Sequence, residues 1–170
     1  MKTQWLDLSD NKIDISENAQ YVGLFIGREG EKLESSLSFI HNTPEVVSNI
    51  LIKAILFENS YADILGNLVI GTGARNVDAY LKIDILLMSN KARARAIPGL
   101  EITEDDVKGG HGATVGPVDE TQLFYLQSKG LNKKSAERIL AEGFIKSALE
   151  PFGNEIPEEL EKQLSKLNYH

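Results

Sequence analysis

Ile97–Leu126 reads IPGLEITEDDVKGGHGATVGPVDETQLFYL, and the chain changes character across it. Before it, apolar residues recur at the short intervals of strands. After it they recur every three or four positions, the period of a helix. At its centre, His111 stands within Gly109-Gly110-His111-Gly112. Glycine adopts backbone angles that other residues avoid, so this run predicts a turn holding an imidazole clear of bulky neighbours. Asp105, Asp106 and Lys108 lie within six residues of it.

Upstream, Ile13-Asp14-Ile15 and Leu37-Ser38-Phe39 alternate apolar with polar residues, the mark of half-buried strands. Tyr21–Ile26 and Leu33–Ile40 are further short apolar pieces, and strands are expected at Val46–Leu56, Tyr61–Leu65, Leu68–Ile70, Val77–Met88 and Arg93–Ile97. Turn residues separate them at Asn42-Thr43-Pro44, Glu58-Asn59-Ser60, Gly66-Asn67, Gly71-Thr72-Gly73 and Ser89-Asn90. Close spacing of short strands means a sandwich, a barrel or a solenoid. No strict period chooses among them.

Downstream, Asp119 is a good N-cap, with Gln122 three residues on, and Gly130 is placed to end that helix. Asn132 can cap a second helix, whose Ala136, Ile139, Leu140, Phe144 and Ala148 share one face until Pro151 stops it. After Pro157, Leu160, Leu164 and Leu167 form a thin stripe on a last short helix, expected to pack on the body. The division expected is a strand-built body over 1–103, a loop or turn region over 104–118 and a helical segment over 119–170.

Composition bounds the function. The 170 residues carry 18 Lys and Arg against 25 Asp and Glu, a net charge of -7, which argues against a nucleic-acid partner. The alternating Lys91-Ala92-Arg93-Ala94-Arg95 puts its charges on one strand face, read as solvated. The chain has no cysteine, so it has no disulfide and lacks the commonest iron–sulfur ligand. The N-terminus has no apolar signal region and no run is long enough to span a membrane, so a soluble cytoplasmic protein is expected.

The central stretch resembles the C-terminal signature of the SufB/SufD family, scaffold proteins of the SUF iron–sulfur cluster assembly system. Pro98, Leu100, Glu101, Ile102, Asp105, Asp106, Val107, Lys108 and the run His111–Gly116 fall in step with it. So do Asp119, Glu120, Leu123, Phe124, Tyr125, Leu126, Ser128 and Gly130. Where the family usually has Cys-Ser, this chain has Gly109-Gly110. The resemblance extends more loosely over residues 41–146. It implies a short right-handed parallel β-helix, a shortened version of longer relatives that keeps the last coils and the helical tail. It also implies a non-enzymatic role, a transient iron–sulfur cluster shared with a partner, and docking of a SUF-type ATPase on the C-terminal helices. Pairing is implied too, as a homodimer or with a SufB/SufD paralogue, near His111. Members of the SufB kind tend to carry Glu after this histidine. Gly112 makes this chain more like SufD.

His111 is the candidate cluster-binding and metal-binding residue, because imidazole serves as a metal ligand and a proton carrier. On residues alone, an exposed turn histidine without a role is the plainer reading; the resemblance favours function. Asp106, with Asp105, Glu104 or Glu101, offers oxygen ligands to a hard cation, against a plainer reading as a solvated acidic turn. His41 reads as a turn residue before Asn42-Thr43-Pro44, and His170 as a mobile terminus. Glycine at 109 can neither accept sulfur nor bind iron. Either His111 acts with a partner's cysteine, or the chain keeps the architecture and has lost the chemistry. An acid–base enzyme using His111 and Asp106 is a third reading, with too few convergent side chains to favour it.

Overall fold

The structure is a computed structural model that describes residues 1–167; His170 lies outside them. Nine strands come first: β1 Lys2–Trp5, β2 Lys12–Ile15, β3 Ala19–Gly27, β4 Lys32–His41, β5 Val47–Leu56, β6 Tyr61–Ile70, β7 Asp78–Leu87, β8 Arg93–Ile102 and β9 Lys108–Pro117. Three α-helices follow: α1 Glu120–Ser128, α2 Lys133–Leu149 and α3 Glu158–Ser165.

The strands form two sheets in the orders β1-β3-β5-β7-β9 and β2-β4-β6-β8, and every pairing is parallel. Consecutive strands alternate between the sheets, which makes a β-helix of about four coils. The coil is hard to see in the sequence because its length varies. Ala19 pairs with Ser48, Val47 with Asp78, and Asp78 with Lys108, steps of 29, 31 and 30 residues. The corner turns absorb the difference, several through a residue at positive φ: Glu45, Glu58, Gly73 and Asn76.

Side chains alternate across each strand, so each sheet has an inner and an outer face. Ile50, Ile52, Ala54 and Leu56 of β5 point inward, with Leu81 and Ile83 of β7 beside them. Phe39, Ile64, Leu68 and Ile70 of the second sheet complete this core. The outer face of the five-stranded sheet makes a second core, where Val22, Leu24, Ile26 and Ile55 pack against Ala141, Ile145 and Ala148 of α2 and Leu160 of α3. The thin leucine stripe of α3 is thereby spent on packing, as its spacing predicts.

One turn expected within the body is strand. Tyr61–Ile70 runs unbroken through Gly66-Asn67. A Cβ on Gly66 would stand 2.9 Å from Leu81 Cδ2, so the glycine makes room in the core rather than turning the chain. The strand expected over Arg93–Ile97 continues through Pro98-Gly99 to Ile102, and β8, as the edge of its sheet, is where a strand tolerates proline. The helix signals read directly. Asp119 accepts from the amides of Thr121 and Gln122, Asn132 accepts from Ser135, and Gly130 follows α1 at φ 94°.

The two ends of the coil differ. At the first, Leu6 and Leu8 are buried in the core and β1 covers only the start of β3. Beyond β1, α3 and its C-cap supply side chains in place of a strand: the Ile26 amide donates to Gln163 Oε1 at 2.9 Å, and Lys166 Nζ donates to the Ile26 carbonyl at 3.2 Å. The other end, bounded by β8 and β9, has no such cover among the described residues.

Candidate functional site

His111 lies in the middle of a strand rather than in a turn. Three of the four glycines of β9 answer to their neighbours. A Cβ on Gly110 would meet the ring of Tyr80 at 2.8 Å, and one on Gly112 would meet its hydroxyl at 3.0 Å, so bare backbone lets Tyr80 lie over β9. A Cβ on Gly109 would stand 2.7 Å from Ile102 Cδ1, the movable tip of a side chain.

His111 is in register with Leu81, a buried inner residue, so it leaves the sheet on the inner face. An inward side chain at this position is exposed because β9 is the last strand of its sheet. Leu100, Ile102 and Val115 are apolar neighbours on this end, 38%, 39% and 42% exposed. The register Ile64↔Ala96 carries Leu100 and Ile102 to the inner face of β8, and Ile85↔Val115 does the same for Val115. An imidazole among core-type residues therefore stands at an open end, flanked by two strands with unpaired edges.

The acidic candidates do not join it. Asp106 sits in the turn before β9, five residues from His111, which at about 3.3 Å per extended residue is on the order of 15 Å. Its backbone oxygen accepts from the Asn76 amide of the preceding coil at 2.7 Å. Glu104 accepts from the Gly73 amide at 2.8 Å, and that bond holds its carboxyl below the usual range. These acids stack one corner turn on the next. Among the described residues, no group of three or more His, Cys, Asp or Glu could hold a metal ion.

His41 is not a turn residue either. It ends β4 fully buried, with Nε2 2.7 Å from Ser48 Oγ and Nδ1 3.3 Å from the Val69 carbonyl. Burial pushes its pKa down. The basic run is solvated, as expected: Arg93 donates to the Asn90 and Ala92 carbonyls, and Arg95 makes a forked pair with Asp63.

Under α2 lies a group the sequence reading missed. Lys53, Asp84 and Thr114 are register neighbours across β5, β7 and β9, on the outer face. Lys53 and Asp84 are 6% and 5% exposed. The available signal was a single charge within each of two apolar runs, Ile50–Leu56 and Ile83–Met88. Further along α2, a groove against α1 is lined by Tyr125, Leu126, Ile139 and Leu140. Phe124 and Tyr125 are 73% and 58% exposed beside it.

Residues 6–144 match the family described as "SUF system FeS cluster assembly, SufBD core domain". The chain belongs to the SufB/SufD family. It is 35% identical to the iron-sulfur cluster assembly protein SufD of Bacillus subtilis, over 96% of this chain and 39% of that protein. It is 33% identical to an iron-sulfur cluster assembly SufBD family protein of Mycobacterium tuberculosis, over 82% of this chain and 16% of that protein. A SufBD family protein of Mycobacterium leprae is 33% identical over 75% of this chain and 35% of its own length. The chain thus spans well under half the length of these SufB/SufD relatives. Among the described residues no helix is long and apolar enough to cross a membrane.

Proposed function

We propose that this chain is a SufD-like scaffold or partner subunit of SUF-type cluster assembly that performs no catalysis itself. The observation that carries the reading is His111, inward-facing yet exposed on the last strand of an open coil, in a chain of this family. A second subunit laid against β8 and β9 would pair their free edges, cover Leu100, Ile102 and Val115, and enclose His111. The cluster under assembly is cargo there. This chain offers it one imidazole, and the thiolates come from the partner, either a cysteine-bearing paralogue or a subunit charged with sulfur. The apolar groove between α1 and α2 suits docking of the ATPase subunit. The reading places the protein in the cytoplasm, as a homodimer or paired with a paralogue.

A second reading is favoured by Gly109. With no thiol at the family's cysteine position, the fold serves as an interaction module without cluster chemistry. Anaerobic reconstitution with iron and sulfide, in the complex with ATPase and paralogue, separates the two. The first reading predicts that cluster yield depends on His111, and the second that it does not.

A further inference from the structure

Beneath α2, the outer face of the five-stranded sheet carries a buried ion pair beside its apolar residues. Lys53 Nζ donates to the Phe144 carbonyl at 2.7 Å and stands 3.9 Å from the centre of the Phe144 ring. It lies 3.9 Å from Asp84 Oδ2, which also pairs with the half-exposed Lys82 at 3.1 Å. The other Asp84 oxygen accepts from Thr114 Oγ1 at 2.6 Å. The polar contacts therefore run unbroken from the middle of α2, through β5 and β7, to β9. Thr114 is three residues after His111 on that strand.

A buried ion pair is weak evidence for stability, because packed apolar residues often do as well. What this one supplies is geometry. Lys53 holds the backbone oxygen and the ring of the same helical residue. Sliding α2 by one residue moves that residue about 1.5 Å along the axis and about 100° around it, and both contacts go together. Asp84 would then lose its buried partner, and the hydroxyl of Thr114 is bonded to that same carboxylate. Phe144 is also one helical turn from Leu140, which lines the α1/α2 groove. The groove and the edge strand are the two ends of one short chain of contacts.

We propose that the Lys53–Asp84–Thr114 rung couples the position of α2 to β9, so that an occupant of the α1/α2 groove alters the strand carrying His111. The functional sense of this rests on the assembly reading above, with an ATPase in the groove. The coupling itself is a property of the isolated chain. Lys53 and Asp84 are positioning residues, acting on His111 through β9, and the coupling is reciprocal.

The test is amide hydrogen exchange on the isolated chain, needing neither partner nor cluster, so its outcome is separate from that of the assembly reading. Thr114→Val keeps the shape and removes the hydroxyl. It is expected to raise exchange in α2 around Phe144 by roughly 3- to 10-fold, although Thr114 lies two strands from Lys53. Thr114→Ser, which restores the donor, should return α2 to the wild-type rate. Lys53→Met should raise exchange in α2 and also in β9 around Thr114. The proposal is overturned if Thr114→Val changes β9 alone, or if Thr114→Ser behaves like Thr114→Val. Should Lys53→Met fail to fold, the Val and Ser pair at 114 decides the matter unaided.

Discussion

His41 Nε2 and Ser48 Oγ lie 2.7 Å apart, with both residues sealed from solvent in the corner between β4 and β5. Burial lowers the His41 pKa below its ordinary 6.5, so the folded protein holds this imidazole neutral. The unfolded chain takes up a proton at a pH where the folded chain does not. The stability due to His41 is therefore fully present above about 6.5 and is lost as the pH falls below that value toward the folded pKa. Urea midpoints taken between roughly pH 7.5 and 5.5 should fall more for the wild type than for His41→Gln, which has no titrating group. Equal falls would show that other groups govern acid sensitivity. Ser48→Ala, which strands Nε2, should cost about 1–3 kcal/mol at neutral pH.

Gln163 and Lys166 stand in for a strand beside Ile26. Gln163→Ala leaves the Ile26 amide without its acceptor and should speed its exchange, at a cost of about 1 kcal/mol. Truncation before α3 exposes the β3 edge together with Val22, Leu24 and Ile26, and should drive association. Light scattering that finds the truncated and complete chains at the same mass would count against an edge-covering role.

The open end makes the opposite prediction. Leu100→Glu with Val115→Glu puts charge on the surface proposed to pair. These positions are already partly exposed, so unfolding midpoints should move little. Sedimentation should show a dimer of the wild type and an 18.8 kDa monomer of the variant. A wild type that sediments as a monomer at micromolar concentration would exclude the homodimer.

Much of this molecule was legible, and the failures have physical causes. Caps are local chemistry, so Asp119, Asn132 and Gly130 marked the helices directly. The strand β9 was not legible, because the three glycines around His111 imitate a turn. They answer instead to Tyr80 and Ile102, on the two preceding strands, and sequence spacing carries no trace of such neighbours. His41 was misplaced for the same reason. Its partner Ser48 is close in sequence, but its burial depends on coils stacked above and below. The Lys53–Asp84 pair had a signal, a lone charge in an apolar run, and its partner required the register of two coils. His111 was found, but through family resemblance. The pairing of an inward direction with exposure at the last strand belongs to the structure alone.

The groove on the helices gives a separable prediction. Tyr125→Glu with Ile139→Glu should abolish co-purification with the ATPase subunit, and should shift stability little because both side chains are exposed. Retention of the ATPase by this variant would move the docking site elsewhere on the chain.

Gly109→Cys asks whether the family's cysteine position is open here. The added Cβ displaces only the tip of Ile102, so the variant should fold with a loss of about 1 kcal/mol or less. Gly109 is exposed, so its thiol should react promptly with a thiol reagent. A thiol unreactive until the chain is unfolded would contradict the placement of β9 at an open end.

The assembly reading stands on His111. The decisive measurement is the visible absorbance of the complex with ATPase and cysteine-bearing paralogue after anaerobic reconstitution, for wild type and His111→Ala side by side. An exposed edge histidine contributes little packing, so the variant should assemble and unfold like the wild type. The account predicts a clearly reduced cluster yield for His111→Ala, and a colourless wild-type chain when it is purified alone. Equal yields from the two complexes would contradict it and leave the fold as an interaction module.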